Sequence, residues 1–540
     1  MVTACPGAAP PGSVILPPMA ALLPGPTVAA TPPLPDPASP PSPAVRRSAH
    51  LAVAAALLLL VAAAAALRLV RLGDQPGGLY QDEAAEGLDA WRILHVPGFH
   101  PLFFAGDGGR EVTFAYLVAA VFHVTGPGVT ALRATAAVLG VAGVAATPLA
   151  LRRFGAAAMI GGTAWAAGSV WLVAVDRDGM RNVLVPLVGT LALAALLAWG
   201  DRPDDRRQAA LGGAACGLGL WTYQPLKLLP VVAAVWLLWL RRSNPGRWRA
   251  MRGSLAAAAV AYAVVAAPIA VAAVMDPVAY FGRGISVSAA NPERPGLAAL
   301  PLHLLRTLGM FGVLGDPNPR HDAGGLPLLP LTVMPLAVAG AVRCWRRRSD
   351  PGMRLVLAGV PVMLLPPLIA TEGPAPHFLR ALGLEPFCAA LVGIGVAAAP
   401  AAGRRLRGRG GATLAAALAG LMLLLPAAVG ARAYLERPLA ERYGAYSFDL
   451  VAAARLAAAH PGSVVVLDDH RALVVRFLDA GLAVDVVPPG TRLHPPPGTT
   501  VLALRRRALA TAVGADAAAR SAVVERDPSG APRLWATVSR

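Results

Sequence analysis

The sequence predicts an all-α, multi-pass membrane protein that carries a small α/β domain at its C-terminal end. Three observations lead there. Of 540 residues, 56% are apolar and 14% charged, and mean hydropathy is +0.57, so charge is about half the ordinary globular share. Apolar runs of bilayer length recur along the chain. The last stretch, 432–540, loses those runs and alternates short β-branched segments with helical ones.

Residues 1–49 come first. Fourteen of the 52 prolines lie in the first 45 positions, without helical or strand periodicity, which predicts a disordered cytoplasmic tail. The first apolar run begins near Leu51 with no small-residue cleavage site behind it, so it reads as a retained span. Eleven spans are expected, near 51–70, 129–150, 154–175, 183–199, 208–223, 225–240, 254–275, 326–342, 355–371, 382–400 and 412–431. A tight Tyr223-Gln224-Pro225 break divides the 208–240 pair. The apolar run Val112–Thr125 has 14 residues. As a helix it reaches roughly 21 Å against a hydrocarbon core of about 30 Å, too short to cross.

Charge sets the orientation. The +18 net charge comes from 47 arginines and one lysine, Lys227, and in a membrane protein such charge gathers in cytoplasmic loops, so no nucleic-acid partner is implied. With 112–125 not crossing and Arg46-Arg47 holding the N-terminus inside, loops 152–153, 201–207, 241–252, 343–354 and 404–409 face the cytoplasm with nineteen arginines. Letting 112–125 cross would put all five outside. The expectation is a transmembrane domain over 50–431, a long first external segment at 73–128 and an external α/β domain at 432–540. The four cysteines have no paired spacing, so neither a disulfide framework nor a zinc site is expected.

The first external segment concentrates acids: Asp74, Asp82, Glu83, Glu86, Asp89, Asp107 and Glu111. Over 82–94, Ala84, Leu88 and Trp91 share one helical face and Asp82, Glu86 and Asp89 another. That pattern predicts a helix lying flat on the membrane, with Glu86 and Asp89 solvated. In the tail, Ser463–Leu467, Ala483–Val487 and Thr500–Leu504 read as strands, 449–459 and 470–480 as helices, and Asp468-Asp469-His470 as a helix start.

Unusual polar groups sit beside the spans at Asp176–Asn182, at Lys227, at Gly315–His321 and at Pro376–Arg380. They put guanidiniums, imidazoles and carboxylates on the external side, the inventory for a reaction at the outer leaflet. Each also has a plainer reading: Asp82 as a helix cap, Arg177, Arg181 and Lys227 as interfacial anchors, His321 and His377 as loop hydrogen-bonders.

The Asp82-Glu83 pair after the first span, Gly109-Arg110-Glu111 before an aromatic-rich helix, and Arg133 opening the next span resemble the lipid-linked-sugar glycosyltransferases of the GT-C superfamily. The nearest branch is glycosyltransferase family 39, with protein O-mannosyltransferases and the lipid A aminoarabinose transferase as relatives. The resemblance extends through Asp176-Arg177 to Arg181, Gly219 to Pro230, Gly315 to His321 and His377 to Arg380, roughly residues 50–435. It implies inverting transfer of a sugar from a polyprenyl-phosphate donor to a hydroxyl of a protein, lipid or glycan acceptor. It also implies Asp82 as the catalytic carboxylate, with Glu83 beside it and Glu111 as a second acid.

A lipid-monophosphate leaving group needs its developing charge neutralised, and Arg177, Arg181, Lys227, His377 and Arg380, with His321 nearby, are the candidates. No cofactor is demanded; a divalent metal stays open, without assigned ligands. Two other readings stand beside this one. A transporter or flippase of envelope precursors is favoured by the Tyr223–Pro225 break alone, and a non-enzymatic envelope scaffold would display 432–540.

Overall fold

In the computed structural model of the chain, residues 43–106, 109–289, 291–293, 299–479 and 484–539 are described. The expected tail up to residue 42, Asp107 and the start of the Ala483 strand lie outside them. The chain divides into two compact units, Met1–Leu51 and Ala52–Arg540, and the candidate site lies in the second.

After α1 (Pro43–Leu69) come α2 (Gln81–His95), a small antiparallel pair, β1 (Phe103–Phe104) with β2 (Arg110–Glu111), and α3 (Thr113–Thr125). The helical part continues through α4 (Val129–Leu151), α5 (Ala156–Gly168), α6 (Val170–Asp176), α7 (Leu184–Asp201) and α8 (Arg206–Leu218). Next are α9 (Leu229–Ser243), α10 (Pro245–Arg252), α11 (Leu255–Met275), α12 (Pro277–Val287) and α13 (Leu300–Leu308). A parallel pair, β3 (Phe311–Gly312) with β4 (Leu329–Pro330), precedes α14 (Met334–Arg346), α15 (Pro351–Ile369) and α16 (Glu385–Leu435). The backbone of α16 leaves helical geometry at Arg407 and Gly408.

The chain is a multi-pass membrane protein. Among the described residues seven helices are long and apolar enough to cross, and α5 with α6, bent by 58°, makes an eighth as a broken span. Each of the eleven expected runs overlaps a helix, but α8 and α14, with 13 residues each, are short for a bilayer. The count of eleven therefore rests on charge and not on helix length.

Local chemistry starts and packs these helices. Asp205 accepts from Arg207 N (2.8 Å) to cap α8, and Asp350 accepts from Gly352 N (2.8 Å) and Met353 N (2.9 Å) to cap α15. A Cβ at Gly213 would collide with the Ala258 carbonyl, and one at Gly393 with that of Ala158. Glycine thus lets α8 close on α11 and α16 on α5, the small-residue packing that membrane helices use where no hydrophobic effect drives them together. Trp165, Trp171, Trp199, Trp236 and Phe387 fill the space between.

Beyond α16 lie α17 (Leu439–Arg442), α18 (Phe448–Ala459), β5 (Val464–Val466), α19 (Asp469–Leu478), β6 (Asp485–Val487) and β7 (Thr500–Ala503). Then come α20 (Arg506–Val513), α21 (Ala515–Ala519), β8 (Ala522–Arg526) and β9 (Pro532–Val538). The sheet order is β6-β5-β7-β9-β8, with β5 parallel to β6 and β7 and β9 antiparallel to β7 and β8. This is the small α/β domain the sequence predicts, with a β8–β9 hairpin added. One hydrophobic cluster joins it to the helices: Leu79, Phe114, Phe122 and Leu132 pack with Leu450, Val465, Val475 and Phe477.

Candidate active site

The site begins at the first turn of α2. The helix starts at Gln81, with Tyr80 as its N-cap residue, so Asp82 is inside the first turn and is not the cap. Glu83 reaches back instead, its Oε2 accepting from Tyr80 N at 3.1 Å. Glu83 also takes both arms of Arg133, Nε to Oε1 at 2.8 Å and Nη2 to Oε2 at 2.9 Å, and accepts from Gly179 N at 2.9 Å. Burial would push this carboxyl up, but the Arg133 charge and these hydrogen bonds hold it below its usual range. Its acceptor sites are occupied, and it is fully buried.

The acidic face of α2 is dry, contrary to the expectation of a solvated face. Glu86 is 0% and Asp89 5% exposed, because arginines from other elements cover them. Arg110 meets Asp89 at 2.5 Å and Glu86 at 3.8 Å, and Arg181 meets Glu86 at 2.7 Å and Glu111 at 3.3 Å. Glu111 Oε1 in turn forms an ion pair with Lys227 Nζ at 3.1 Å. Alternating charges thus run from α2 to Lys227, and each buried ion has an opposite neighbour, which such burial requires.

Lys227 marks a cavity of about 480 Å³. Asp82, Lys227, His321, His377 and Arg380 all line it, joined by Tyr80, Tyr223, Arg283, Asp316, Arg320 and Glu372. Lys227 Nζ sits 4.1 Å from the centre of the Tyr280 ring, and the Arg320 guanidinium stacks 3.4 Å above that of Tyr80. Arg380 donates to Glu372 Oε2 at 2.7 Å and Arg283 approaches that carboxylate at 3.4 Å. Arg320 has no carboxylate partner among the described residues. Four cations against Asp82, Asp316 and Glu372 leave the cavity positive, as a phosphate requires.

At one wall, Asp316, His321 and His377 bring one ligand atom each within 4.8 Å of one another. Asp316 Oδ2 accepts from His321 Nδ1 (3.0 Å) and Phe378 N (2.7 Å), and His377 Nδ1 is buried without a hydrogen-bond partner among the described residues. Burial, with the nearby arginines and His321, pushes the His377 imidazolium pKa well down, and burial does the same to His321. Both rings are therefore neutral at physiological pH, the form that binds metal.

Asp82 touches one further group. His470, at the start of α19, places Nε2 3.4 Å from Asp82 Oδ1. Burial pushes the Asp82 carboxyl up, but the His470 hydrogen bond and the charges of Arg320 and Arg181 outweigh it and hold the pKa below the usual aspartate range.

Two predicted residues lie elsewhere. Arg177 is fully buried, donating to the carbonyls of Leu67 (2.7 Å), Val70 (2.9 Å) and Gln75 (2.8 Å), so it pins the end of α1. Glu83 holds α2 to α4. Glu111 and Arg181 stand behind the cavity wall and reach it through Lys227. The sequence pattern does not mark Arg283, Arg320 and Glu372 as site residues, and it marks His470 only as part of a helix start. Arg320 lay within the quoted Gly315–His321 loop, whereas nothing in their own surroundings marked Arg283 or Glu372.

The architecture, membrane helices with a long first loop and a C-terminal α/β domain around this cavity, is a fold shared with solved membrane proteins of the GT-C type. No protein-family profile and no curated protein sequence matches the chain. Among solved structures, ArnT from Cupriavidus metallidurans bound to undecaprenyl phosphate is similar over 89% of this chain and 97% of its own, at 15% identity and a TM-score of 0.59. The apo state of the same protein gives 0.57 at 14% identity, with 91% and 98% covered. The archaeal oligosaccharyltransferase AglB from Archaeoglobus fulgidus, in complex with an inhibitory peptide and a dolichol-phosphate, gives 0.53 at 12% identity, with 87% of this chain and 72% of that one covered.

Proposed function

We propose that the protein is a membrane glycosyltransferase that moves a sugar from a polyprenyl-phosphate donor to an acceptor hydroxyl, with inversion. The observation that carries it is the cavity, which sets the Asp82 carboxylate, held ionised, among the cations Lys227, Arg283, Arg320 and Arg380. The fold is also one in which ArnT is seen with undecaprenyl phosphate and AglB with dolichol-phosphate. Residues 50–431 are the transferase part, 432–540 the acceptor-side domain, and both the cavity and the C-terminal domain face away from the cytoplasm.

In the reaction, Asp82 accepts the acceptor's hydroxyl proton while that oxygen attacks the anomeric carbon from the face opposite the leaving group. The bond from the anomeric carbon to the phosphate oxygen breaks, and its electron pair leaves on the polyprenyl phosphate. Lys227 and Arg320 neutralise the developing charge, Arg380 and Arg283 flank them, and Glu111 holds Lys227 in place. Asp316, His321 and His377 fit a divalent ion: two neutral imidazoles and a carboxylate, one ring nitrogen being otherwise unpartnered. An ion held there would add positive charge on the phosphate side.

Purified protein incubated with a panel of polyprenyl-phosphate sugars should release free polyprenyl phosphate in the presence of acceptor, and slowly by hydrolysis without it. No release from any donor, with binding and release of a water-soluble solute instead, would move the protein to the transporters. Loss of turnover in EDTA, restored by a divalent ion, is expected if the histidine cluster is loaded. Unchanged turnover removes the metal.

A further inference from the structure

The C-terminal sheet carries a second pocket. From β5 the chain crosses to β6 on one side and returns to β7 on the other, so the parallel part of the sheet changes direction between β5 and β7. In open α/β sheets the crevice beyond the carboxyl ends of the strands at such a point is where ligands bind. A cavity of about 330 Å³ opens there. Arg471 lines it from α19, after β5, and Arg505 follows β7 directly. Arg533 and Trp535 of β9, with Gln81, Tyr443, Ser447 and Asp449, add further polar lining.

Its charge selects an anion. Three guanidiniums face a single carboxylate, Asp449. Arg471 and Arg533 also meet Asp468 (3.7 Å) and Asp527 (2.7 Å), but neither of those carboxylates lines the pocket. Arg505 has no carboxylate partner among the described residues. Arginine forks match carboxylate and phosphate oxygens, and the half-buried Trp535 adds an aromatic body against which a sugar ring can lie.

Its position ties it to the chemistry. Tyr80 and Asp82 line the first cavity, and Gln81, between them, lines the second. On the facing helix His470 touches Asp82 while its neighbour Arg471 lines the second pocket. We propose that this pocket is the acceptor subsite and takes a saccharide bearing a carboxylate or phosphate, held so that a hydroxyl points toward Asp82. The proposal rests on the transferase reading above and gives its acceptor a chemical class.

The test is direct binding to the full-length protein in nanodiscs, by calorimetry or saturation-transfer NMR. The probes are a glucuronate-containing disaccharide and its neutral glucose counterpart. The anionic sugar is expected to bind about tenfold tighter, and Arg505→Ala or Trp535→Ala should each weaken it about tenfold, the worth of one charge-assisted contact. Arg505→Lys should lose less, while Arg526→Ala should keep parental binding. Equal binding of the neutral sugar, no binding of either, or indifference to both Arg505→Ala and Trp535→Ala would overturn the subsite. Because no turnover is needed, the two readings separate: donor cleavage without this binding removes the subsite alone, and this binding without any donor cleavage supports the pocket and removes the transferase.

Discussion

Asp82 stays ionised because the forces on it are unequal, the His470 hydrogen bond and two arginine charges outweighing burial. A general base works in its charged form, so transfer should persist through neutral pH and fall only as pH drops through that lowered value. The acid limb of kcat/KM thus lies below the ordinary aspartate range, and His470→Ala, by removing a stabiliser of the carboxylate, should move it upward. A limb that stays put in the variant would detach His470 from the base. Asp82→Asn keeps the shape and, since Tyr80 is the cap residue, leaves the helix start alone; transfer should fall by roughly 10² to 10⁴ with expression unchanged. Near-parental turnover would clear Asp82 of the role. Glu86 is the contrast: buried between Arg181 and Arg110, it should lose about 3 kcal/mol on Glu86→Ala, seen as a lower Tm. Sequence spacing exposes Asp82, Lys227, His321, His377 and Arg380 because polar groups abutting apolar spans are conspicuous. It does not expose partnership. Glu83 is satisfied by Arg133, 50 residues away, and Arg177 by carbonyls more than 100 residues earlier, and no local pattern distinguishes such a saturated ion from a free one.

The contact of α2 with α19 decides whether Asp82 meets His470 at all. Phe477 of α19 lies against Gly87, where a Cβ would overlap its ring, and stacks on Phe122 of α3 at 6.2 Å. Gly87→Ala should therefore cost about 1–3 kcal/mol by overpacking. With Phe477→Leu added, the pair should cost less than the sum of the single changes, since the smaller side chain yields the space. Strict additivity in thermal melts would separate these helices. The 3.6-residue period finds α2 within a few residues, yet it assigns the acidic face to water, because periodicity reports which residues share a face and not what covers it. The β8–β9 hairpin escaped notice for a related reason: β8 alternates exposed with half-buried positions and lacks the dense β-branched character of β5 and β7.

The orientation proposed for the whole protein rests on nineteen arginines in five loops, whereas helix lengths yield seven or eight crossings among the described residues where the sequence reading expects eleven. With all four cysteines, Cys5, Cys216, Cys344 and Cys388, replaced, a cysteine at position 469 should react with an impermeant maleimide in intact cells, and cysteines at 206 or 347 should not. Labelling at 206 would invert the topology. The C-terminal domain closes the first loop across great sequence distances: Gln81 donates to Ser447, 366 residues on, and Tyr446 donates to Asp178, 268 residues back. Ribosomes deliver the N-terminal end first, at about 5–20 residues per second, so the loop bearing Asp82 waits on the order of half a minute for its lid of strands. Membrane helices insert and pair meanwhile, but Asp82 meets His470 only when α19 has been made. On the transferase reading proposed above, a copy released early by a stalled ribosome would sit in the bilayer with its helices in place and Asp82 without its His470 partner. On that reading, transfer would be withheld from truncated products without any separate inhibitor.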